Sequence, residues 1–274
     1  MGRLHTEKAV AAHLTRPQHL LAAWDELLPR LRRSRRVCLF TDFDGTLAPI
    51  SGAPAAVRLA PEIRRLLARL AKKDLVLGIV SGRSLSYLRR RFRLRGIWYA
   101  GAHGCVVGRH GQPDHFLVSA NERAEMRAVI RRLSTRLANL RGIVVKAKEA
   151  SVAVHYRGVS RTRCRAARQA LQEILMDFPR MRVLPGKKVW ELMPNASAGK
   201  WNAIRWILRQ ESIGRRGQKL LFYIGDDVTD EQVFRRMNGI SIAVGKRTHT
   251  AARYYLRSTA EVRTLLERLL VALP

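Results

Sequence analysis

The chain has 274 residues, and 52 Lys and Arg against 21 Asp and Glu give it a net charge of +31. That length exceeds one ordinary domain and falls short of two large ones, so a core with a smaller inserted or appended unit is expected, large enough to need no staples. Cys38, Cys105 and Cys164 are odd in number, far apart and mostly within apolar strings, which argues for buried thiols at a reducing, cytoplasmic address and against a disulfide framework or zinc site.

Residues 1 to 36 are rich in Arg and Ala, somewhat like a transit peptide, but His13, Arg16 and Gln18 interrupt the apolar runs. No signal peptide and no membrane span are expected. From about Pro17, Leu20, Leu21, Trp24, Leu27, Leu28 and Leu31 have helical spacing, which predicts a helix on the main domain after a loose tail. Val37 to Phe40 then reads as a buried strand that delivers Asp42 and Asp44 at its C-terminal end, where open α/β sheets place ligands. One acid could attack while the other shuttles protons, and a divalent metal such as magnesium between them would relieve their repulsion. An Asp-Gly turn closing a strand is the alternative.

Pro61 opens a helix with Ile63, Leu66, Leu67 and Leu70 on one face. Leu75 to Val80 is a strand ending in Ser81-Gly82-Arg83, with Ser84 placed to cap the next helix. Strand, hydroxyl, glycine and helix start form a phosphate cradle, although Ser-Gly turns are common. The strand Ile97 to Ala100 precedes Gly101-Ala102-His103-Gly104, whose glycines allow close approach to a ligand. His103 alone is not expected to bind metal. A hairpin turning at His110 to Pro113 follows.

Residues 119–192 read as a separate module: a long helix capped by Asn121, strands at Ile143 to Lys148 and Ser151 to Arg157, a helix near Thr162 to Met176, and strands near Arg182 to Leu184 and Lys188 to Leu192. On its open face His155 and Arg157 alternate, with Lys187, Lys188 and Glu191 nearby; these could hold sugar hydroxyls or form a plain polar sheet face. Lys200 then begins a helix continuing through Ile204, Ile207 and Leu208, and a cation at that end opposes the helix dipole, which points to a site. Leu220 to Ile224 is a strand ending in Gly225-Asp226-Asp227-Val228-Thr229-Asp230-Glu231, suited to metal ligation, to helix capping by Thr229, Asp230 and Glu231, or to both. Ile240 to Val244 is a strand, Thr248 to Tyr255 a connection, and Ser258 with Glu261 a capping-box pattern before the last helix. Basic residues are spread over nearly every helix without interleaved aromatics, which reads as a solvated surface that adheres to polyanions rather than a specific nucleic-acid site.

Asp42-Phe43-Asp44-Gly45-Thr46, Ser81, Lys200 and Asp226, in this order, resemble the four motifs of the haloacid-dehalogenase (HAD) superfamily of phosphotransferases. The resemblance implies an α/β, HAD-like Rossmannoid parallel-sheet core, residues 36–118 and 193–274, with an inserted α+β cap of C2B type, residues 119–192, after a tail and helix at 1–35. It implies Asp42 as nucleophile, Asp44 as general acid/base, Ser81, Gly82, Arg83 and His103 around the phosphate, and Lys200 as the charge-offsetting lysine. Trp201 stands where related phosphatases carry Gly, and Lys187 and Lys188 are the other lysines considered. Asp226, with Asp227 beside it, would bind magnesium together with Asp42 and the Asp44 backbone carbonyl. Asp42 to Ile50, Ser81-Gly82-Arg83, Gly101-Ala102-His103-Gly104, Ser151 to Arg157, the Val189 to Pro194 run and Gly225 to Glu231 further resemble the trehalose-phosphatase family. That implies magnesium-dependent hydrolysis of trehalose 6-phosphate through an aspartyl-phosphate, the final step of trehalose biosynthesis, with Arg157, Lys188 and Glu191 closing over the sugar. The alternatives are related phosphatases acting on sucrose 6-phosphate or mannosyl-3-phosphoglycerate, or a nucleic-acid binder on a disabled scaffold, against which the intact motifs argue. The expected partner is the sugar phosphate alone, with no specific nucleic acid, no membrane and a monomeric state.

Overall fold

The computed structural model describes residues 16–50, 57–195, 199–211, 219–245 and 249–274. In chain order, Gln18–His19 (β1), Trp24–Arg33 (α1) and Arg36–Thr41 (β2) precede Pro61–Leu70 (α2), Leu75–Val80 (β3), Leu85–Phe92 (α3) and Trp98–Gly101 (β4). The hairpin of Val106–Arg109 (β5) and His115–Phe116 (β6) leads to Ala120–Leu137 (α4), Val144–Ala147 (β7), Val152–His155 (β8), Arg161–Met176 (α5), Met181–Gly186 (β9) and Val189–Pro194 (β10). Lys200–Gln210 (α6), Lys219–Gly225 (β11), Glu231–Phe234 (α7), Ile240–Val244 (β12), Tyr254–Leu256 (β13) and Thr259–Ala272 (α8) complete the chain.

The larger sheet has the order β1-β13-β12-β11-β2-β3-β4-β5-β6, parallel from β1 to β4 and antiparallel through the hairpin. Its central strands are continuous apolar runs because both faces are covered. Alternation sends Leu39, Leu77 and Phe222 into one apolar cluster with α2 and α8, and Cys38, Phe40, Val76 and Tyr223 into another with Ile204 and Ile207 of α6. Register matters most for the site. Thr41 pairs with Ile79 on one side and Ile224 on the other. Asp42, Ser81 and Asp226 therefore leave three adjacent parallel strands at the same edge of the sheet.

The smaller sheet, β7-β8-β10-β9, is antiparallel. A cluster including Met126, Val129, Leu133, Leu171 and Ile174 joins α4 and α5 to Val152, Val154 and Leu192 of this sheet. No described helix is long and apolar enough to cross a membrane.

Several local expectations change. The N-terminal helix begins at Trp24; Gln18 and His19 pair instead with Tyr254 and Tyr255, which makes the expected connection at 248–255 end in a strand. The loose tail, residues 1–15, and Thr248 lie outside the described residues. Ser119, not Asn121, caps α4, in a capping box with Glu122. Ser258 makes no cap hydrogen bond, and the Glu261 carboxylate accepts from the Arg257 N–H and pairs with His19. β8 stops at His155, so Arg157 lies in an exposed turn rather than alternating along a strand. Lys188 also lies in an exposed turn, with φ 62°, between β9 and β10.

Candidate active site

Asp42 follows directly from β2 and is buried. Its Oδ1 accepts from the Phe43 N–H at 2.7 Å, and its Oδ2 lies 3.0 Å from Lys200 Nζ. Lys200, the first residue of α6, is 1% exposed and also donates to Asp230 Oδ1 at 2.7 Å. A lysine so deeply buried at a helix N-terminus is tolerable only because these two carboxylates face it. Asp230 is held in turn by Tyr223 OH at 2.5 Å and by the Asp227 N–H at 2.9 Å. Burial disfavours the Lys200 charge, but Asp230 and Asp42 outweigh it and hold the ammonium above its ordinary value.

Asp226 completes this corner, with Oδ1 accepting from Thr46 Oγ1 at 3.1 Å. The turn that brings Thr46 across depends on Gly45: its φ is +81°, and a Cβ there would sit 2.0 Å from Asp226 Oδ2. One oxygen from each of Asp42, Asp226 and Asp230 lies within 4.8 Å of the others, a group that could hold a metal ion. Burial, with Asp230 and Asp226 adding repulsion, pushes the Asp42 carboxyl well above the carboxylate range against the pull of Lys200. Asp226 is pushed up to about 7, by burial first and then by Asp230. Fully ionised, three carboxylates facing one ammonium would leave two negative charges. All-oxygen donors with that residual charge fit a hard divalent cation. Asp230 already accepts from three donors, Lys200, Tyr223 and the Asp227 N–H.

Asp44 does not join the cluster through its carboxylate. Arg83 grips both of its oxygens, Nε to Oδ2 at 2.7 Å and Nη2 to Oδ1 at 2.6 Å, and stands 4.9 Å from the Tyr87 ring centroid. The exposed Asp227 turns its carboxylate to the Val228 N–H at 2.7 Å. Ser81 is buried, with its hydroxyl accepting from the Arg83 N–H at 3.2 Å and its carbonyl from the His103 N–H at 3.0 Å. Gly82 gives the His103 ring room, since a Cβ would lie 2.5 Å from Nε2. Ala102 and His103 both have positive φ, 48° and 56°, a costly pair of conformations that keeps the imidazole over this loop.

On the smaller sheet, Glu191 is buried and faces the same loop. Its Oε1 accepts from Ser151 Oγ at 2.7 Å and from Lys148 Nζ, and its Oε2 lies 3.5 Å from His103 Nε2. Burial works against ionisation here, yet His103 and Lys148 hold the carboxyl well below its ordinary range. Arg157 and Lys188 are exposed in their turns, apart from this network, and it is Lys200 rather than Lys187 or Lys188 that reaches Asp42. The sequence reading did not assign Lys148 or Tyr223 to the site, and treated Asp230 as a helix cap. Asp230 was findable as the third acid of the Gly225 to Glu231 string; Tyr223 carries no signal, as an aromatic in an apolar strand.

A family model described as Trehalose-phosphatase matches residues 40–260. A rice (Oryza sativa subsp. japonica) protein named probable trehalose-phosphate phosphatase 3 is 30% identical over 269 residues, covering 90% of this chain and 73% of the rice protein. The trehalose-phosphate phosphatase of Mycobacterium avium is 35% identical over 251 residues, 86% of this chain and 62% of that protein. Among solved structures, the C-terminal domain of Candida albicans trehalose-6-phosphate phosphatase superposes with a TM-score of 0.72 at 21% identity, covering 90% of this chain and 96% of that one, which supports the HAD-like fold. The chain belongs to the trehalose-phosphatase family.

Proposed function

We propose that the chain hydrolyses trehalose 6-phosphate to trehalose and phosphate, with magnesium as its divalent cation, as the last step of trehalose biosynthesis. The observation that carries this reading is the buried corner where Asp42, Lys200 and Asp226 converge, in a chain of this family. The rice and Mycobacterium avium relatives bear the activity in their names.

Asp42 supplies the nucleophile. Its carboxylate oxygen bonds to phosphorus as the bond from phosphorus to the sugar 6-oxygen breaks, and Asp44 gives that leaving oxygen a proton. Water then loses a proton to Asp44 and displaces phosphate from Asp42, restoring both acids. Because Arg83 holds both Asp44 oxygens, proton transfer requires that pair to open. Lys200 orients Asp42 and offsets charge on the phosphoryl group, while the Ser81 loop receives its oxygens. Asp42, Asp226 and the Asp44 main-chain carbonyl would hold magnesium, which supplies further charge neutralisation on those oxygens. The smaller sheet is the side from which the sugar is selected, with Glu191 fixed near the phosphate loop and Arg157 and Lys188 exposed at its turns.

The test is phosphate release from trehalose 6-phosphate, sucrose 6-phosphate, mannosyl-3-phosphoglycerate and glucose 6-phosphate in magnesium. A kcat/KM for trehalose 6-phosphate at least about tenfold above the others is expected, since a site fitted to one sugar loses at least ~1.4 kcal/mol on a misfit. Another ester winning that comparison overturns the substrate assignment.

A further inference from the structure

The turn joining β7 to β8 reaches across to the larger sheet with three consecutive residues. Lys148 Nζ donates to the Gly82 carbonyl at 2.6 Å, inside the Ser81 to Arg83 loop. Glu149 Oε1 accepts from the Ser86 N–H at 3.1 Å, in the first turn of α3, just beyond that loop. Ala150, 1% exposed, is packed into the apolar cluster of the larger sheet, alongside Met193 and Val118. Helix α3 has no acid in its own first turn and ends in Arg89, Arg90 and Arg91, so Glu149 supplies the negative charge its N-terminus lacks. A second side chain, Ser84, caps the next amide, accepting from the Tyr87 N–H at 3.1 Å. The turn thus grips the phosphate loop from within, at Gly82, and from behind, at Ser86, while an apolar residue seats it.

We propose that Lys148-Glu149-Ala150 is the clasp that closes the smaller sheet onto the phosphate loop, and that Glu149 is a positioning residue for that closure. The consequence for catalysis rests on the reading of trehalose 6-phosphate as substrate. A disaccharide phosphate must be enclosed between the two sheets, whereas a small aryl ester reaches Asp42 with the clasp open.

The experiment compares native protein with Glu149→Ala in two ways. Without substrate, amide exchange over residues 84–88 is expected to quicken about fivefold or more in the variant, as a charge-assisted cap worth ~1 kcal/mol is lost, with residues 61–70 of α2 as the unchanged control. With substrate, kcat/KM for trehalose 6-phosphate falls about tenfold while that for p-nitrophenyl phosphate stays within about twofold. Glu149→Gln, which keeps an acceptor for the Ser86 N–H, falls between native and Glu149→Ala in both measurements. Unchanged exchange at residues 84–88, or equal losses on both esters, overturns the clasp. A native protein inactive on trehalose 6-phosphate overturns the substrate reading alone, because the exchange measurement needs no substrate.

Discussion

Asp42 and Glu191 are both buried beside a lysine, and they respond in opposite ways. Asp42 faces Lys200 at 3.0 Å, yet its carboxyl is pushed well above the carboxylate range. Glu191 faces Lys148, and its carboxyl is held well below that range. Burial opposes ionisation in both places, so the difference lies in the company each acid keeps. Lys200 is shared among Asp42, Asp230 and the nearby Asp226, whereas Lys148, His103 and Ser151 all turn to the one carboxylate of Glu191. A satisfied acid fastens two sheets together. A group of acids that outnumbers its cation is the one with work left for a metal ion and a phosphoryl group.

Substitutions within the crowded acid group should cost activity most. Asp42→Asn removes the nucleophile, and phosphate release should fall by at least about 1,000-fold while the fold survives; a fall below about tenfold would show that another group attacks. Lys200→Met leaves three carboxylates without their ammonium. It should lower kcat by about 100-fold or more and reduce unfolding free energy by about 3 kcal/mol, read by denaturant titration. Asp230→Asn, which unties Lys200 without deleting it, should fall between the two in stability.

The satisfied side predicts a pH effect instead. The folded value of Glu191 lies below its ordinary 4.5, so its ion pairs stabilise the fold above that pH and the contribution is lost as pH falls through the acid range. Native protein should therefore exceed Glu191→Gln by about 2 kcal/mol at pH 7, with the gap closing below about pH 4. Thermal melts from pH 7 to 3 measure it, and parallel curves for the two proteins would sink the contrast.

The crowded acid group was the more legible from the amino-acid sequence, and the reason is physical. Asp42, Ser81, Lys200 and Asp226 each follow or begin a regular element, so an apolar strand run or a helix start marks where each side chain emerges. The parallel sheet then aligns those ends. Contacts that cross between elements leave no such mark: Arg83 on Asp44, Lys148 on the Gly82 carbonyl and Glu149 on the Ser86 N–H tie side chains of ordinary surface type to partners distant in sequence. The two-residue strand at Gln18 and His19 was hidden for the same reason, since it forms only because Tyr254 and Tyr255 lie beside it. Asp230 does cap, accepting from the Asp227 N–H, but the tight turn also aims its other oxygen at Lys200 and Tyr223 while Asp227 turns toward the Val228 N–H.

The most direct test of the charge imbalance is a calorimetric titration of magnesium into substrate-free native protein and Asp226→Asn. Three acids facing one lysine should bind one ion in the native protein, with affinity lower by at least about tenfold once Asp226 no longer carries charge. Equal binding by the two proteins, or none by the native one, would contradict it.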